Sequence, residues 1–406
     1  MVKELYQTIT RELTLNVTNG KVDSVRKKNI IKSGCRIYAD GCIGVAGTLG
    51  EPDENTWRSA RNALSLSIPC PSEPKGQGTR RRRIGVFPKE DVFLAQAEAF
   101  LDTLSGEFPG FVFSNKIRAT EETYRLRNDL GTDFEDCLAY INVGLIVKEE
   151  SSPNVFDTCI DITGQTLDME QLLDKSRAIL RAHQNPLPMP REALPAILSF
   201  SELFLGVLQD GLNGVQLHKG ASQLSGKVGE KIFDDKFTLS CDRGETMRLD
   251  GYAPFFDPEG TVLAGDCIPL IQNGVLLRST ADKQCQADFG ADLTASATGE
   301  YDDVPALDAG PSKDIMHVTP TGSLEEILDG QDGIFVYMAQ GGDASPAWNY
   351  ATPVQAAYLY RGGRLIGRLP EFNFSGSLYD LLGKDYMGCV RDSGAKQFVV
   401  VKGKIM

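Results

Sequence analysis

The sequence predicts an α+β protein of two domains: a mixed helix-and-strand N-terminal domain and a largely antiparallel β C-terminal domain with a central helix. Three observations carry that prediction. Alternating apolar and polar runs near the start are joined by an Asn-Gly pair, the strongest short hairpin signal. The run Asn185-Pro186-Leu187-Pro188-Met189-Pro190 stiffens the chain and removes backbone donors, as an extended linker does. Beyond it, short strand-like runs are separated by glycine-bearing turns around one apolar helix. The expected divisions are 1–184, a proline-rich linker at 185–190, and 191–406.

In order, the run from Glu12 to Val17 alternates, Asn19-Gly20 turns the chain, and Val22 to Arg26 returns. Cys35 to Tyr38 and Ile43 to Ala46 flank Asp40-Gly41 as a second hairpin. Asp53 to Ser67 reads as a helix with Trp57, Ala60 and Leu64 on one side, closed by Pro69-Cys70-Pro71. Ser72 to Thr79 is a polar loop leading to the basic run Arg80 to Arg83, read as a solvated strand edge or a partner contact. Lys89 to Leu104 is the second predicted helix, and strands begin again at Phe111. Asn128 to Gly131 is a turn, Leu138 to Lys148 alternates as a strand, and Asp168 to Ala182 is the third helix.

After the linker, Leu203, Phe204, Val207 and Leu208 place apolar side chains on one helical face. Gly211, Asn213 and Gly214 are expected to stop this helix by accepting positive φ. The following Gly220, Ala221, Ser222, Ser225, Gly226 and Gly229 are small enough for backbone to approach backbone, with Lys227, Glu230 and Lys231 among them. Turns are expected at Asp257-Pro258-Glu259-Gly260, Gln272-Asn273-Gly274, Gln331-Asp332-Gly333 and Arg361-Gly362-Gly363.

Charge and cysteine usage narrow the function. The 406 residues carry a net charge of −13, with a pI near 4.9, which argues against general affinity for nucleic acid. The 9 cysteines are odd in number, scattered from Cys35 to Cys389, and form no C-x-x-C pair, which fits a reducing cytoplasm. The start carries Lys3 and Glu4 and has no targeting pattern, and the most apolar stretch, Leu194 to Leu208, is interrupted by Pro195 and Glu202. No membrane association is expected.

Several motif-like runs dissolve on inspection. Gly220 to Val228 is not a phosphate loop, since five residues separate Gly220 from Gly226 and Val228 stands where a magnesium-binding hydroxyl is needed. Ser222 lies in G-A-S-Q-L, which is not a nucleophile elbow. The adjacent pairs Asp234-Asp235, Asp302-Asp303 and Glu325-Glu326 point apart on a strand or helix and are read as solvated or capping groups. His183, His218 and His317 share no ligand spacing.

From Ser222 to Leu239 the run S-x-L-x-G-K-x-G-E-K-I-F-D-D-K-x-T-L resembles the signature of the TldD/PmbA family, bacterial two-subunit peptidases once called modulators of DNA gyrase. Asn19 to Ser24, Gly34, Arg36 to Tyr38 and Gly44 are similar to that family's opening hairpins; Ser323 to Ile327, Gly333 to Val336, Gly341-Gly342 and Gly363 to Leu365 resemble its later strands. The similarity spans nearly the whole chain in order. It implies that Ser222, Gly226, Lys227, Gly229, Glu230, Lys231, Asp234, Gly341 and Gly342 are family-motif residues serving packing or a peptide groove. Family members usually place a helix before the first strand, and this sequence has only a few residues there. Trp348 to Ala351 stands where the family reads G-D-F-S, Ser375 to Ser377 where it reads A-G-N, and Ser296 to Glu300 departs from its S-T-G-N turn.

In the catalytic TldD branch the central helix carries H-E-x-x-x-H, whose histidines hold zinc and whose glutamate is the general base. Here that helix offers Ser201, Glu202, Gln209 and Asp210 and no histidine. Cys389 is near the C terminus, as is a zinc-binding cysteine of the catalytic branch, but its surroundings do not match. The resemblance therefore implies the zinc-free PmbA/TldE branch: no metal on this chain, zinc in an H-E-x-x-x-H partner, and an extended peptide or unfolded protein as substrate. A stand-alone peptide-binding or scaffolding protein, or a metal-independent hydrolase, are the other readings.

Overall fold

The computed structural model describes residues 1–244, 253–307, 315–392 and 396–405 of the chain. Its N-terminal part is built on an eight-stranded sheet, β1 (Val2–Thr18), β2 (Lys21–Ala39), β3 (Cys42–Leu49), β4 (Ile68–Pro69), β5 (Gly78–Ile84), β6 (Phe111–Asn128), β7 (Thr132–Glu149) and β8 (Thr158–Gly164). Pairing runs β4-β3-β2-β1-β6-β7-β5, with β8 also on β7. The turns follow local chemistry. Asn19 and Gly20 both take positive φ, 51° and 72°, as do Asp40 and Gly41, 52° and 73°, which matches the twist of the flanking strands. One edge of β7 is shared: its first half pairs parallel with β5 and its second half antiparallel with β8.

Three helices belong to this part: α1 (Glu54–Ala63), α2 (Glu90–Glu107) and α3 (Met169–His183). Asp53 and Asp168 cap α1 and α3, each carboxylate accepting from the backbone N–H three residues on, at 2.8 and 3.1 Å. The predicted first helix ends in a tighter turn, Leu64–Leu66, and Ser67 at φ 51° breaks it before the prolines. Phe93, Phe100 and Leu104 of α2 and Leu172 and Leu180 of α3 pack on Leu15, Phe113 and Val143 of the sheet.

The C-terminal part holds a second and a third sheet. The chain enters through β9 (Ala196–Ser199), in the middle of the largest sheet, and passes into three short helices, α4 (Phe200–Leu203), α5 (Leu205–Leu212) and α6 (Gly214–His218). A four-stranded sheet follows, β10 (Leu239–Asp242), β11 (Cys267–Gln272), β12 (Val275–Leu276) and β13 (Met316–Val318), ordered β12-β11-β10-β13. Between its strands lies α7 (Lys283–Phe289). The larger sheet adds β14 (Gly333–Ala339) after α8 (Leu324–Leu328), then β15 (Asp343–Ala344), β16 (Asn349–Arg361), β17 (Arg364–Arg368) and β18 (Phe372–Ser377). It ends with α9 (Leu378–Leu381), β19 (Tyr386–Arg391), β20 (Gln397–Val401) and β21 (Lys404–Ile405). Its path is β19-β20-β9-β14-β16-β18-β21, with β15 and β17 also on β16. Among the described residues, its paired strands are antiparallel except β9 and β14, which run parallel. The architecture is thus the predicted two-domain, mostly antiparallel α+β fold.

The structure corrects five local expectations. The central helix is broken: Phe204, at φ −114°, separates α4 from α5. Gly211 and Gly214 do not stop it by positive φ, for Gly211 lies inside α5 and Gly214 opens α6. Both are glycine for space, because a Cβ would come 2.3 Å from Trp348 Cζ2 at Gly211 and 2.2 Å from the Thr280 carbonyl at Gly214. Gly226 and Gly229 show the converse: their φ values of 78° and 90° favour glycine, yet a Cβ at either meets nothing within 4 Å, so they are not sites of close backbone approach. The turn before β14 is made by Asp329 and Gly330, at φ 47° and 76°, one step before the expected Gln331 to Gly333.

The fifth correction concerns Arg80 to Arg83. They form an edge strand, but alternate side chains are spent on the other domain. Arg82 is buried, its guanidinium bonded to the fully buried Asp136 and its Nη1 donating to the Arg243 carbonyl at 2.8 Å. Arg80 forks onto Asp266 at 2.8 and 2.5 Å. Arg81 and Arg83 pair with Asp133 and Glu121 on their own sheet. Arg36 repeats the theme. It is wholly buried, lies over the Tyr6 ring at 4.8 Å, and donates to the Pro258 carbonyl. The proline linker is likewise docked: Leu187 N–H donates to the Arg368 carbonyl at 2.8 Å and Arg368 N–H to the Asn185 carbonyl at 2.9 Å.

Candidate functional site

Two regions surround the central helices, one made by the family-motif loop and the other a cavity between the domains. In the loop, Ser222 is structural. Its Oγ donates to the Gly211 carbonyl at 2.5 Å and accepts from Leu224 N–H at 3.0 Å, tying the loop to the end of α5. Lys227 Nζ donates to the Tyr379 hydroxyl at 2.7 Å, and that ring stacks on Trp348 at 5.2 Å. Trp348 in turn fills the space that Gly211 leaves. Ser222, Lys227 and the end of α5 are therefore one packed unit.

The other motif residues do not converge on it. Glu230 is exposed, and its carbonyl accepts from Leu276 N–H at 3.0 Å. Lys231 pairs with Asp235 at 2.6 Å on the surface. Asp234 accepts from Lys236 N–H at 2.9 Å as a turn cap. Gly341 supplies a positive φ of 86°. Gly342 is a close approach, since a Cβ there would lie 2.5 Å from Thr352 Cβ and 2.8 Å from the Tyr350 hydroxyl.

The histidines are apart and engaged. His183 Nε2 accepts from Arg368 Nη1 at 2.9 Å, with Glu149 Oε1 3.0 Å away. Burial, then the Arg368 charge, holds this imidazole below its ordinary pKa and hence neutral. His218 stacks on Phe289 at 4.9 Å, and His317 is buried in β13. Burial pushes the Cys389 thiol up to about 12, so it stays protonated at neutral pH. Among the described residues no three His, Cys, Asp or Glu side chains are grouped to hold a metal ion. All nine cysteines are free thiols.

The cavity, about 220 Å³, lies beside α4. Ile162 on β8 and Ile179 on α3 wall it from the N-terminal side. Phe335 on β14, Leu365 on β17 and Phe398 on β20 wall it from the other. The Phe335 and Phe398 rings are 5.2 Å apart. Charged groups line it too: Asp161 with Lys396 at 2.7 Å, Lys175 with Asp392 at 3.9 Å, and Glu202 of α4. In the sequence Glu202 stands out as a polar residue of the central helix, and Phe335 and Leu365 lie in stretches similar to the family's later strands. Beyond α4 the lining is drawn from β8, α3, β14, β17, β20 and the positions Asp392 and Lys396 beside β19 and β20, and no local pattern joins residues so far apart along the chain.

Residues 196–395, which contain the family-motif loop and only part of the cavity lining, match the model of the PmbA/TldA metallopeptidase C-terminal domain. The chain belongs to the TldD/PmbA family. This family is one of metallopeptidases, and the relatives agree in length. The chain is 22% identical over 386 residues to an uncharacterized protein of Methanocaldococcus jannaschii, covering 91% of this chain and 87% of that one. It is 21% identical over 385 residues, with the same coverage of 91% and 87%, to an Archaeoglobus fulgidus protein named a metalloprotease. The fold is that of TldE from Thermococcus kodakarensis, at a TM-score of 0.73 and 17% identity over 100% of this chain and 96% of the other. A Thermotoga maritima protein whose name refers to modulation of a DNA gyrase gives 0.71 and 15%, over 100% and 95%. Among the described residues of this TldD/PmbA member, no helix is long and apolar enough to cross a membrane.

Proposed function

We propose that this chain is the zinc-free, TldE-like subunit of a heteromeric TldD/TldE-type peptidase, and that it helps present extended peptides or unfolded chains to a catalytic partner. The observation that carries the reading is the composition of α4 and α5. Where the catalytic branch of the family is expected to carry H-E-x-x-x-H, this chain has Ser201, Glu202, Gln209 and Asp210. A catalytic zinc takes about three protein ligands and keeps one position open, and an isolated carboxylate with an amide does not replace two imidazoles. Extended substrates suit antiparallel sheets, whose edges offer main-chain hydrogen bonds. Nine free thiols and an acidic surface suit a reducing cytoplasm and a protein rather than a nucleic-acid partner.

The test is co-expression with an H-E-x-x-x-H family member, followed by elemental analysis and a peptide-cleavage assay. The isolated chain is expected to hold well under one zinc and to leave an unfolded peptide intact. The mixture is expected to co-elute and cleave in a chelator-sensitive way. Stoichiometric zinc in the isolated chain, or chelator-resistant cleavage that survives repurification, would overturn the reading.

A further inference from the structure

From the open outer edge of β2, we infer that this chain holds an extended acidic peptide as an added strand, with peptide carboxylates facing Arg26 and Lys28. This deepens the peptide-handling reading and rests on it for the nature of the guest. β2 pairs with β1 from Lys21 to Tyr38, but with β3 only from Lys32 to Ala39. Among the described residues, no hydrogen bond reaches its other edge between Lys21 and Ile30. Just past the end of β3, Gly50 N–H donates to the Ile31 carbonyl at 2.8 Å, which fixes the parity of the strand. In an antiparallel strand a residue's N–H and C=O point to one side, and successive residues alternate. Asn29, Lys27 and Val25 therefore turn their main-chain groups outward, where a further strand can bond them.

The side chains then select the guest. Val25 and Lys27 stand opposite Leu15 and Leu13 in the register, on the face that α2 covers, and Lys27 meets Glu90 of α2 at 2.6 Å. Arg26 and Lys28 stand on the other face, opposite Thr14 and Glu12. Glu12 is engaged by Arg118 at 3.7 Å, and among the described residues Lys21, Arg26 and Lys28 pair with no carboxylate. Asp23 is the one acid from Lys21 to Ile31. A second copy is a poor guest. β2 paired antiparallel with itself about Lys27 sets Lys27 against Lys27 and Arg26 against Lys28, and like charges directly opposite destabilise a pair. An acidic strand reverses that sign. Residues two apart share a face, so the guest needs carboxylates at alternate positions, with a β-branched residue beyond them for Val25, which is 40% exposed.

Isothermal titration of the purified chain at low salt tests this with the end-blocked peptide Thr-Val-Glu-Thr-Glu-Val-Thr, whose sequence is the same read in either direction. It should bind saturably at one site per chain, and more weakly as salt rises. Glutamine at both glutamate positions should weaken binding about three- to tenfold, as expected for two exposed pairs, and lysine there should abolish it. Proline in place of the central threonine removes a ladder donor and should weaken binding as well. Asn29→Pro removes an outward N–H that β1 does not use, so it should leave the melting curve near that of the wild type and weaken binding severalfold. Arg26→Glu combined with Lys28→Glu should release the acidic peptide and take up its lysine counterpart.

No binding of the acidic peptide at millimolar concentration, equal binding of the acidic and lysine peptides, or a charge-reversed chain that keeps its preference would overturn the inference. So would unchanged binding by a folded Asn29→Pro chain, which would place the peptide away from the strand edge. A single-stranded oligonucleotide that binds more tightly than the peptide would overturn the assignment to a peptide. Because these titrations use the isolated chain, their outcome is independent of whether a zinc-bearing partner co-elutes.

Discussion

Cutting the buried Arg82–Asp136 pair should separate the roles of the four consecutive arginines. Asp136 is 0% exposed and accepts from Arg82 Nε at 3.0 Å, from Arg82 Nη2, and from Phe255 N–H at 2.7 Å. Phe255 lies in the C-terminal part, so the carboxylate is shared between domains, as is the guanidinium through the Arg243 carbonyl. Removing one partner of a buried pair leaves the other charge uncompensated, at a cost of about 3–5 kcal/mol. Arg82→Leu or Asp136→Leu alone should therefore lower stability by that amount. The double variant removes both charges together, leaving Phe255 N–H and the Arg243 carbonyl without these partners, each worth about 1–3 kcal/mol. Its loss should fall below the sum of the single losses by about 1–3 kcal/mol, the coupling expected of contacting residues. Arg81→Leu, whose pair with Asp133 is partly exposed, should cost about 1 kcal/mol or less. Urea unfolding monitored by tryptophan fluorescence reads all four. Equal losses for Arg82→Leu and Arg81→Leu, or strict additivity in the double variant, would refute the view that this strand cements the domains.

The remaining predictions concern single positions. Gly211→Ala should cost about 1–3 kcal/mol by forcing a methyl into Trp348, and Gly211→Asn should cost more. Gly226→Ala should cost about 1–2 kcal/mol through its φ of 78° alone, and Gly226→Asn should recover part of that; thermal melting that ranks the two sites alike would contradict the geometry. Burial, with Asp257 beside it, pushes the Glu259 carboxyl up to about 8 from an ordinary 4.5. The fold therefore holds a proton that the unfolded chain releases, so this stabilisation is complete below about pH 4.5 and is lost as pH rises toward 8. Comparing wild type with Glu259→Gln from pH 5 to about 8.5 should show the wild type losing about 2–4 kcal/mol relative to the variant. His183, which is held neutral, contributes the opposite slope below its ordinary value and cancels in that difference. Ser323 caps α8 in a reciprocal box with Glu326, and Ser323→Ala should cost about 1 kcal/mol in the same unfolding assay.

By itself the sequence determined whatever depends on neighbours along the chain. Asn19-Gly20, Asp40-Gly41 and Asn273-Gly274 set their turns because both residues of each pair accept positive φ. Asp53 and Asp168 set helix starts because their carboxylates reach an N–H three residues away. Alternation in β1 and β7 exposed the sheet, and the missing histidines in α4 and α5 were visible without any structure. Only the tertiary fold decided what depends on distant partners. Gly211 is glycine because of Trp348, and Arg82 is buried because Asp136 and Arg243 meet it from other elements. Small residues read as a packing motif at Gly226 and Gly229 turned out to serve backbone conformation, since space around a Cβ is not written in local sequence. The cavity is the extreme case. Its walls come from β8, α3, β14, β17 and β20, and such a surface exists only after sheets from both domains have packed, because burial and charge juxtaposition are properties of the assembled chain.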